Sequence, residues 1–176
     1  KFSNQKKIKK IGKLLLTSSC KIKHFEYFAK PAYVGMASPM HQDNYYWNLT
    51  NPNALTIWIA IDFANKKNGS LDYLLESHKK LYKHIASFAP GSSQKVKDIK
   101  DLKKKFKIKS FNLAPGDCLV HHSQVVHGNK KNISKISRRG FTIQLVPSSA
   151  KVNKKKFQIY QKSLSKQIAI RKKLLN

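Results

Sequence analysis

The chain has 176 residues, of which 40% are hydrophobic and 10% aromatic, and this is typical of one folded domain rather than a disordered chain. No apolar run approaches the roughly 20 residues that cross a bilayer. The N-terminal segment also lacks the long apolar stretch and small-residue cleavage site of a signal peptide.

Charge is the most unusual property of the sequence. Lys and Arg total 36 against 8 Asp and Glu, which gives a formal net charge of +28. Such a charge can indicate a nucleic-acid partner. However, only Arg138, Arg139 and Arg171 are Arg, and Lys is spread along the whole chain together with many Asn and Ile, as in a biased composition with a solvated surface. We therefore do not expect nucleic-acid binding, although the charge should favour anionic ligands through long-range steering.

The two cysteines carry little information on function. Cys20 and Cys118 lie far apart and match no metal-binding spacing. A reducing compartment is the default for such thiols, so we expect a cytoplasmic protein. Nothing in the sequence indicates an oligomeric state.

The predicted elements run from a basic helix at the N-terminus to a Lys-rich helix at the C-terminus. Residues 1–20 predict an amphipathic helix at the edge of the domain, and residues 151–176 predict a helix on its outside. Residues 78–88 also predict a helix, with Leu81 and Ile85 facing inward, and residues 90–105 a polar surface excursion. Six further segments have the alternating or continuously apolar side chains that are typical of β-strands. They are residues 22–28, 54–63, 70–75, 107–113, 117–122 and 138–146.

Many short strands separated by turn signals are typical of a two-sheet, cupin-like jelly roll. The turns are marked by Asn68-Gly69 and Pro115-Gly116. We therefore predict a mainly β protein with flanking helices. Residues 1–176 would form a single domain whose β core spans residues 22–147.

A candidate metal site lies in the segment MHQDNYYW, residues 40–47. On an extended strand, residues i and i+2 face the same side, so His41 and Asp43 can converge on one ion. A distal His127 precedes a glycine. Each signal is weak alone, but two His and one carboxylate on one face of an octahedral ion leave three positions open, as in non-haem Fe(II) oxygenases.

Arg138 opens the last predicted strand. Alternation places it with Gly140, Thr142 and Gln144, on a less apolar face than the one that carries Arg139. A guanidinium can hold a carboxylate through two hydrogen bonds. Arg138 is thus the better candidate for the far carboxylate of 2-oxoglutarate. Arg139 is the fallback, because a slip of one residue would exchange their faces.

Together, four stretches resemble the phytanoyl-CoA dioxygenase family, which includes ectoine hydroxylase. The likeness covers roughly residues 22–147. Its motifs agree with the family in order and spacing: Lys30-Pro31, MHQDNYYW (40–47), NALTIWIAIDFANKKNGSLDYLLESHK (53–79) and LAPGDCLVHHSQVVHGNKKNISKISRR (113–139).

This resemblance implies a double-stranded β-helix and an Fe(II)- and 2-oxoglutarate-dependent dioxygenase. His41, Asp43 and His127 would hold the iron, and Arg138 the 2-oxoglutarate cosubstrate. With O₂, the reaction would hydroxylate a small-molecule substrate and release succinate and CO₂. The carboxylate of Asp43 implies hydroxylation rather than the halogenation of relatives that carry a small residue there.

Three further residues are lesser candidates for cosubstrate contacts. Gln42 either touches the cosubstrate or, by alternation, faces away. Trp47 either lines the pocket or packs in the core. Asn129 replaces a Ser that many relatives use on the cosubstrate carboxylate. His122 is interpreted as a supporting or core residue rather than a ligand.

Some features depart from the family pattern and leave alternatives open. Met40 replaces a common Trp, and Leu75-Glu76 replaces the usual Pro-Gly. The chain starts at Lys1 and is short for the family at its N-terminus, as expected if an N-terminal segment is lacking. One alternative is a nucleic-acid-binding module on an inactive β-helix. The other is a cupin-type enzyme with another divalent metal, which would not need Arg138. The substrate is not specified, although the basic charge favours an anionic one.

Overall fold

The computed structural model describes residues 5–89 and 92–175. Four α-helices and ten strands occur in these ranges, together with a short 3₁₀ turn at Ser77–Lys79. Their bounds in chain order are α1 Gln5–Leu16, β1 Cys20–Lys30, β2 Ser38–His41, α2 Asp43–Trp47, β3 Leu55–Ala60, β4 Leu71–Leu74, β5 His84–Ala86, β6 Gln94–Val96, α3 Ile99–Lys105, β7 Ile108–Ser110, β8 Cys118–His122, β9 His127–Asn129, β10 Arg138–Pro147 and α4 Lys154–Leu175.

Two four-stranded antiparallel sheets form the body of the protein. The first has the strand order β1-β10-β3-β8 and the second β2-β9-β4-β7, while β5 and β6 form a separate two-stranded ribbon. Most neighbouring strands are distant in sequence, as in a jelly roll. The predicted mainly β, two-sheet architecture with flanking helices is therefore confirmed. The N-terminal helix occupies Gln5–Leu16, and residues 1–4 of that prediction lie outside the described residues.

The alternation of the long strand β10 separates a polar inner face of the first sheet from an apolar outer face. Ile143 and Leu145 are buried on the outer face, where Leu16 of α1 packs against them. The inner face of β10 carries Arg138, Gly140, Thr142 and Gln144. The inward residues paired with them are Lys30, Phe28, Glu26 and His24 on β1, and Ala60, Trp58 and Thr56 on β3. The fold thus directs a row of polar groups between the two sheets.

An apolar cluster fills the space between the sheets. Trp58 of the first sheet and Tyr73 of the second belong to it, and both are at most 5% exposed. Aromatic side chains bury large areas, so they contribute strongly to holding the sheets together. The polar inner residues therefore lie beside a buried, apolar wall.

The helix predicted for residues 78–88 is wrong. The 3₁₀ turn there is followed by β5, which pairs with β6. Gln42 holds this segment extended, because its side chain accepts a hydrogen bond from the Tyr82 amide and its own amide donates to His84 Nε2. These long-range contacts override the local helical pattern, and Ile85 is exposed rather than buried.

Residues 90–105, predicted as a polar excursion, contain β6 and α3. Residues 90 and 91 lie outside the described part of the chain. None of the helices that the structure describes is both long and apolar enough to pass through a membrane.

Candidate metal centre

His41, Asp43 and His127 converge between the two sheets. His41 ends β2 and His127 begins β9, and the two residues are directly paired in the second sheet. The carboxylate oxygen Oδ1 of Asp43 lies 3.6 Å from Nε2 of each histidine. One ligand atom from each of the three residues lies within 4.8 Å of the others. The sequence-predicted trio is thus brought together in one cluster.

The backbone between His41 and Asp43 explains how a two-residue spacing brings both side chains to one side. The sequence had predicted that the strand continues through Asp43. In the structure, the strand ends at His41 and Asp43 begins α2. Gln42 between them is nevertheless extended, with φ −126° and ψ 129°. This single extended residue preserves the i, i+2 relation on which the prediction depended.

Gln42 points away from the cluster and is fully buried. Its Nε2 donates to the carbonyls of Lys80 and Gln124, and its Oε1 accepts from the Tyr82 amide. Of the two orientations that the sequence left open, the structure has the one in which Gln42 ties the chain around His41 to two other segments. Its amide is committed to the protein rather than to a bound molecule.

The orientation of both imidazoles suits a metal ion. Nδ1 of His41 lies 2.8 Å from the Pro39 carbonyl, and Nδ1 of His127 lies 3.1 Å from the Val125 carbonyl. A carbonyl only accepts, so each Nδ1 carries the hydrogen and each Nε2 presents a lone pair to the cluster. The 3.6 Å separations from Asp43 are too long for hydrogen bonds. They suit ligands that share an ion at about 2.1 Å each. The three residues therefore fit a divalent metal.

The second oxygen of Asp43 is held by residues of the first sheet. Thr56 Oγ1 donates to Oδ2 at 2.7 Å, and His121 Nε2 lies 3.3 Å from the same atom. His121 Nδ1 is 3.0 Å from the Tyr73 hydroxyl, whose pKa is raised by burial, so this hydroxyl keeps its proton and donates it. These contacts aim Oδ1 at the two imidazoles. His121 and Thr56 were missed from the sequence, although alternation in β8 puts His121, not His122, inside.

Replacing His121 by Phe is expected to weaken binding of Mn(II) by roughly 10- to 100-fold, the usual cost of losing a partner of a metal ligand. Phe keeps the ring contact with Tyr73 but removes the donor to Asp43. Isothermal titration calorimetry measures the affinity. The exposed His78 provides the matched control. Among the aromatic rings described, its imidazole contacts only that of His122, so His78→Phe should leave the metal cluster unchanged. Equal affinities in the two variants would contradict this role for His121.

The charges of the cluster are strongly coupled. Burial alone would raise the pKa of Asp43, but the imidazoles of His127, His121 and His41 lower it well below the usual value. Burial lowers the pKa of His41, but the Asp43 carboxylate, the Pro39 carbonyl and Glu26 together raise it above the usual value. Burial together with the neighbouring His41 and His121 lowers the pKa of His127 to about 3, despite the opposing effect of Asp43. His127 therefore stays neutral, as a metal ligand must be.

The glycine after His127 has a steric role. A Cβ atom on Gly128 would lie 2.7 Å from the Ser38 carbonyl oxygen and 3.0 Å from the Met40 amide. Any other residue would push β2 away from β9. The His-Gly pair of the sequence therefore allows the close approach of the strands that carry His41 and His127.

The structure distinguishes the two neighbouring arginines. Arg138 is 2% exposed, and its Nη2 donates to the Gly69 carbonyl at 2.9 Å. Its guanidinium lies 5.2 Å from the centre of the Trp58 ring. Arg139 is on the outside and makes a bidentate ion pair with Asp62, with distances of 2.8 and 2.7 Å. Arg138 is thus the one that faces the interior.

Arg138 is beside a second buried cation, Lys30, with which it is paired in register. The Lys30 ammonium donates to the carbonyls of Met36 and Lys130, and burial together with Arg138 lowers its pKa to about 8. Burial lowers the pKa of Arg138 to about 10, and its Nε has no hydrogen-bond partner among the described residues. Neither cation forms an ion pair with an acidic side chain within residues 5–89 and 92–175. Two unpaired buried cations favour a bound anion.

The other two candidate residues have different environments. Trp47 is buried with Leu49, Ala54 and Val146, so it packs in the core, the second of the two roles the sequence left open. Asn129 is two residues after His127 on β9, and its Oδ1 accepts from the Ser38 amide at 3.0 Å. Lys30, by contrast, belongs to the Lys30-Pro31 motif, but the sequence predicted no role for it.

The fold resembles that of solved non-haem iron enzymes. Ectoine hydroxylase EctD from S. alaskensis, solved with 2-oxoglutarate and 5-hydroxyectoine, superposes with a TM-score of 0.72 at 17% identity, over 86% of this chain and 53% of that one. The non-haem α-ketoglutarate-dependent carbocyclase SnoK superposes with a TM-score of 0.69 at 19% identity, over 82% and 56% of the two chains. These likenesses establish the class of fold.

The sequence comparison then gives the family. The profile of phytanoyl-CoA dioxygenase (PhyH) matches residues 6–140, and the chain belongs to that family. It is 28% identical over 127 residues to the Caenorhabditis elegans phytanoyl-CoA dioxygenase domain-containing protein 1 homolog, covering 68% of this chain and 44% of the relative. It is also 28% identical over 121 residues to phytanoyl-CoA dioxygenase 1 of Oryza sativa subsp. japonica, covering 68% and 42%. The chain thus spans less than half the length of these two relatives.

Proposed function

We propose that this protein is an Fe(II)- and 2-oxoglutarate-dependent dioxygenase that hydroxylates a small-molecule substrate and releases succinate and CO₂. The main support is the cluster of His41, Asp43 and His127, whose ligand atoms lie within 4.8 Å of one another. Two His and one carboxylate with open positions are typical of non-haem Fe(II) oxygenases. Membership of the phytanoyl-CoA dioxygenase family and the likeness to EctD, which has been solved with bound Fe, agree with this assignment.

Each residue of the site has a defined task in this proposal. His41, Asp43 and His127 hold the ion, while Thr56 and His121 fix the orientation of Asp43. Bound iron would supply the redox chemistry and the coordination positions for 2-oxoglutarate and O₂. The protein itself supplies ligation, orientation and exclusion of water.

The buried cations would bind the far carboxylate of 2-oxoglutarate. Arg138 offers a planar guanidinium whose Nε has no partner in the described part of the chain, and Lys30 adds a second positive charge. Asn129 lies on the same face of β9 as His127, two residues away, so its amide is a further contact for the cosubstrate. Because Arg138 and Lys30 are buried, their charges act more strongly than charges at the surface.

An apolar wall connects the cation pair to the metal cluster. Trp58 underlies Arg138 and belongs to the same buried cluster as Tyr73. Tyr73 in turn stacks on His127, with ring centres 5.9 Å apart. Trp58 and Tyr73 are both buried and apolar between the two polar parts, an environment that protects an oxidation from side reactions.

The cellular setting and the extent of the domain belong to the same proposal. Cys20 and Cys118 are both free thiols, as expected for a protein of the reducing cytoplasm. Residues 22–147 contain every proposed site residue and both sheets except for Cys20 and Lys21 at the start of β1. We assign them as the catalytic β-helix of a single dioxygenase domain that spans residues 1–176.

The proposal is tested by adding Fe(II) and 2-oxoglutarate to the protein without oxygen and recording the visible spectrum. We expect the weak charge-transfer band of the iron chelate, and succinate formation after O₂ is admitted. If iron binds and no band forms, another divalent metal is favoured. If neither ligand binds but nucleic acid does, with a steep salt dependence, the binding-module alternative is favoured.

A further inference from the structure

A carboxylate lies on the inner face of the first sheet. Glu26 of β1 is paired with Thr142 of β10, so both side chains point between the sheets. Gln144, two residues further along β10, donates a hydrogen bond from Nε2 to the Glu26 carboxylate. Glu26 thus has a defined position on the inner face of the β-helix.

Glu26 is near the metal cluster, on the same inner face of the first sheet as Thr56. Gln144 is paired in register with Thr56 of β3, and Thr56 donates to Asp43. The charge of Glu26 acts on His41, and the charge of Asp43 acts on Glu26. Strands β1 and β3 are separated by β10 alone, which places them about 10 Å apart. A small molecule can therefore touch Glu26 and the metal cluster at once.

Glu26 is a half-buried carboxylate without a close Lys or Arg partner in the described part of the chain, although His24 and Lys23 are near enough to oppose the rise in its pKa. The chain has 36 basic residues and 8 acidic ones. Asp62 and Glu76 at the surface both form ion pairs, yet Glu26 forms none in the described part of the chain. Burial raises the pKa of Glu26, which indicates that its carboxylate has lost part of its hydration. An anion in such a place gains from a cation that arrives with a ligand.

A second group beside Glu26 also lacks a partner. Thr142 is 3% exposed, and its hydroxyl oxygen Oγ1 has no hydrogen-bond partner among the described residues. Buried polar groups are nearly always paired, so an orphaned hydroxyl next to a carboxylate indicates a missing ligand. The two groups are adjacent in register and face the same space.

We propose that Glu26 and Thr142 form the substrate subsite that binds a protonated amine, while the carbon to be oxidised lies at the metal cluster. This inference rests on the proposed dioxygenase function. An ammonium group offers both a charge for Glu26 and several donors, whereas an alcohol offers no charge. The interior then has one anionic end for the substrate and one cationic end, at Lys30 and Arg138, for the cosubstrate. In this proposal the substrate is cationic, so the positive net charge of the protein does not predict the charge of its substrate.

Three probes with one carbon skeleton test this inference: hexylamine, hexanol and hexanoate. Their affinities are measured by calorimetry on protein that holds Mn(II) and 2-oxoglutarate at neutral pH, where the amine is cationic. We expect the amine to bind about tenfold or more tightly than the alcohol, and the carboxylate most weakly. Glu26→Gln keeps the acceptor for Gln144 but removes the charge, so it should abolish the preference. The exposed Glu76 gives the control variant Glu76→Gln, which should retain it.

Thr142→Val is a second test that does not depend on the charge of Glu26. It is nearly isosteric, and the lost hydroxyl has no hydrogen-bond partner within residues 5–89 and 92–175, so the fold should be retained. Affinity for hexylamine should fall by roughly 2- to 10-fold. Equal binding of the three probes, failure of hexylamine to bind at millimolar concentration, or a preference retained in Glu26→Gln would overturn the inference. Binding of Mn(II) and 2-oxoglutarate is measured separately, so failure of the dioxygenase proposal is distinguished from failure of the amine subsite.

Discussion

Asp43→Asn is expected to abolish 2-oxoglutarate turnover and to weaken Mn(II) or Fe(II) binding by more than the roughly 100-fold that loss of an outer contact costs. The amide has a single oxygen. Thr56 and His121 both contact Oδ2, so the amide oxygen stays with these donors. The NH₂ group then faces His41 and His127, where a ligand oxygen is needed. The site loses a charge and gains two misplaced hydrogens.

Calorimetry with Mn(II), together with the charge-transfer band without oxygen, measures this effect. Asp62→Asn is the matched control, because Asp62 contacts Arg139 at the surface and should leave both readings unchanged. Thermal unfolding of the metal-free proteins checks that the variant is folded. Metal affinity in Asp43→Asn within a few-fold of the parent protein would contradict the assignment of Asp43 as a ligand.

The long strands were predictable because their side chains alternate with a clear period of two. β3 and β10 each carry an unbroken pattern over six or more residues, and each was found within a few residues of its true bounds. β5 was not, because its three residues carry no such pattern and its extended form depends on Gln42, some 40 residues earlier. The local periodicity of the sequence gives no information about that long-range contact.

The same distinction applies to the site. His41, Asp43 and His127 were predicted from a short motif and a distal His-Gly pair, and their proximity depends on the pairing of β2 with β9. His121 and Lys30 were missed as functional residues, because their roles follow from registers between distant strands, β8 with β3 and β1 with β10. Arg138 and Arg139 could be ranked but not separated by sequence, since a slip of one residue exchanges them.

Arg138→Gln is expected to weaken 2-oxoglutarate binding by about 100-fold or more, the range for removing one partner of a buried charge pair. Metal binding should be unchanged, because Arg138 is not among the residues that contact His41, Asp43 or His127. The KM for 2-oxoglutarate and the dissociation constant from calorimetry both report the effect. Arg139→Gln is the matched control, since Arg139 differs by one position and its partners Asp62 and Tyr27 lie on the outer side of the sheet.

Thermal unfolding provides a second, independent test of the Arg138→Gln variant. Without 2-oxoglutarate, the buried guanidinium has a cationic neighbour and an Nε with no partner among the described residues, and these costs oppose its hydrogen bond to Gly69 and its contact with Trp58. Its removal should therefore cost little stability. With 2-oxoglutarate and Mn(II), the parent protein should gain stability by mass action, and Arg138→Gln should gain much less. A variant that is destabilised without cosubstrate yet keeps its 2-oxoglutarate affinity would make Arg138 a structural residue and leave Lys30 as the principal cation of the pocket.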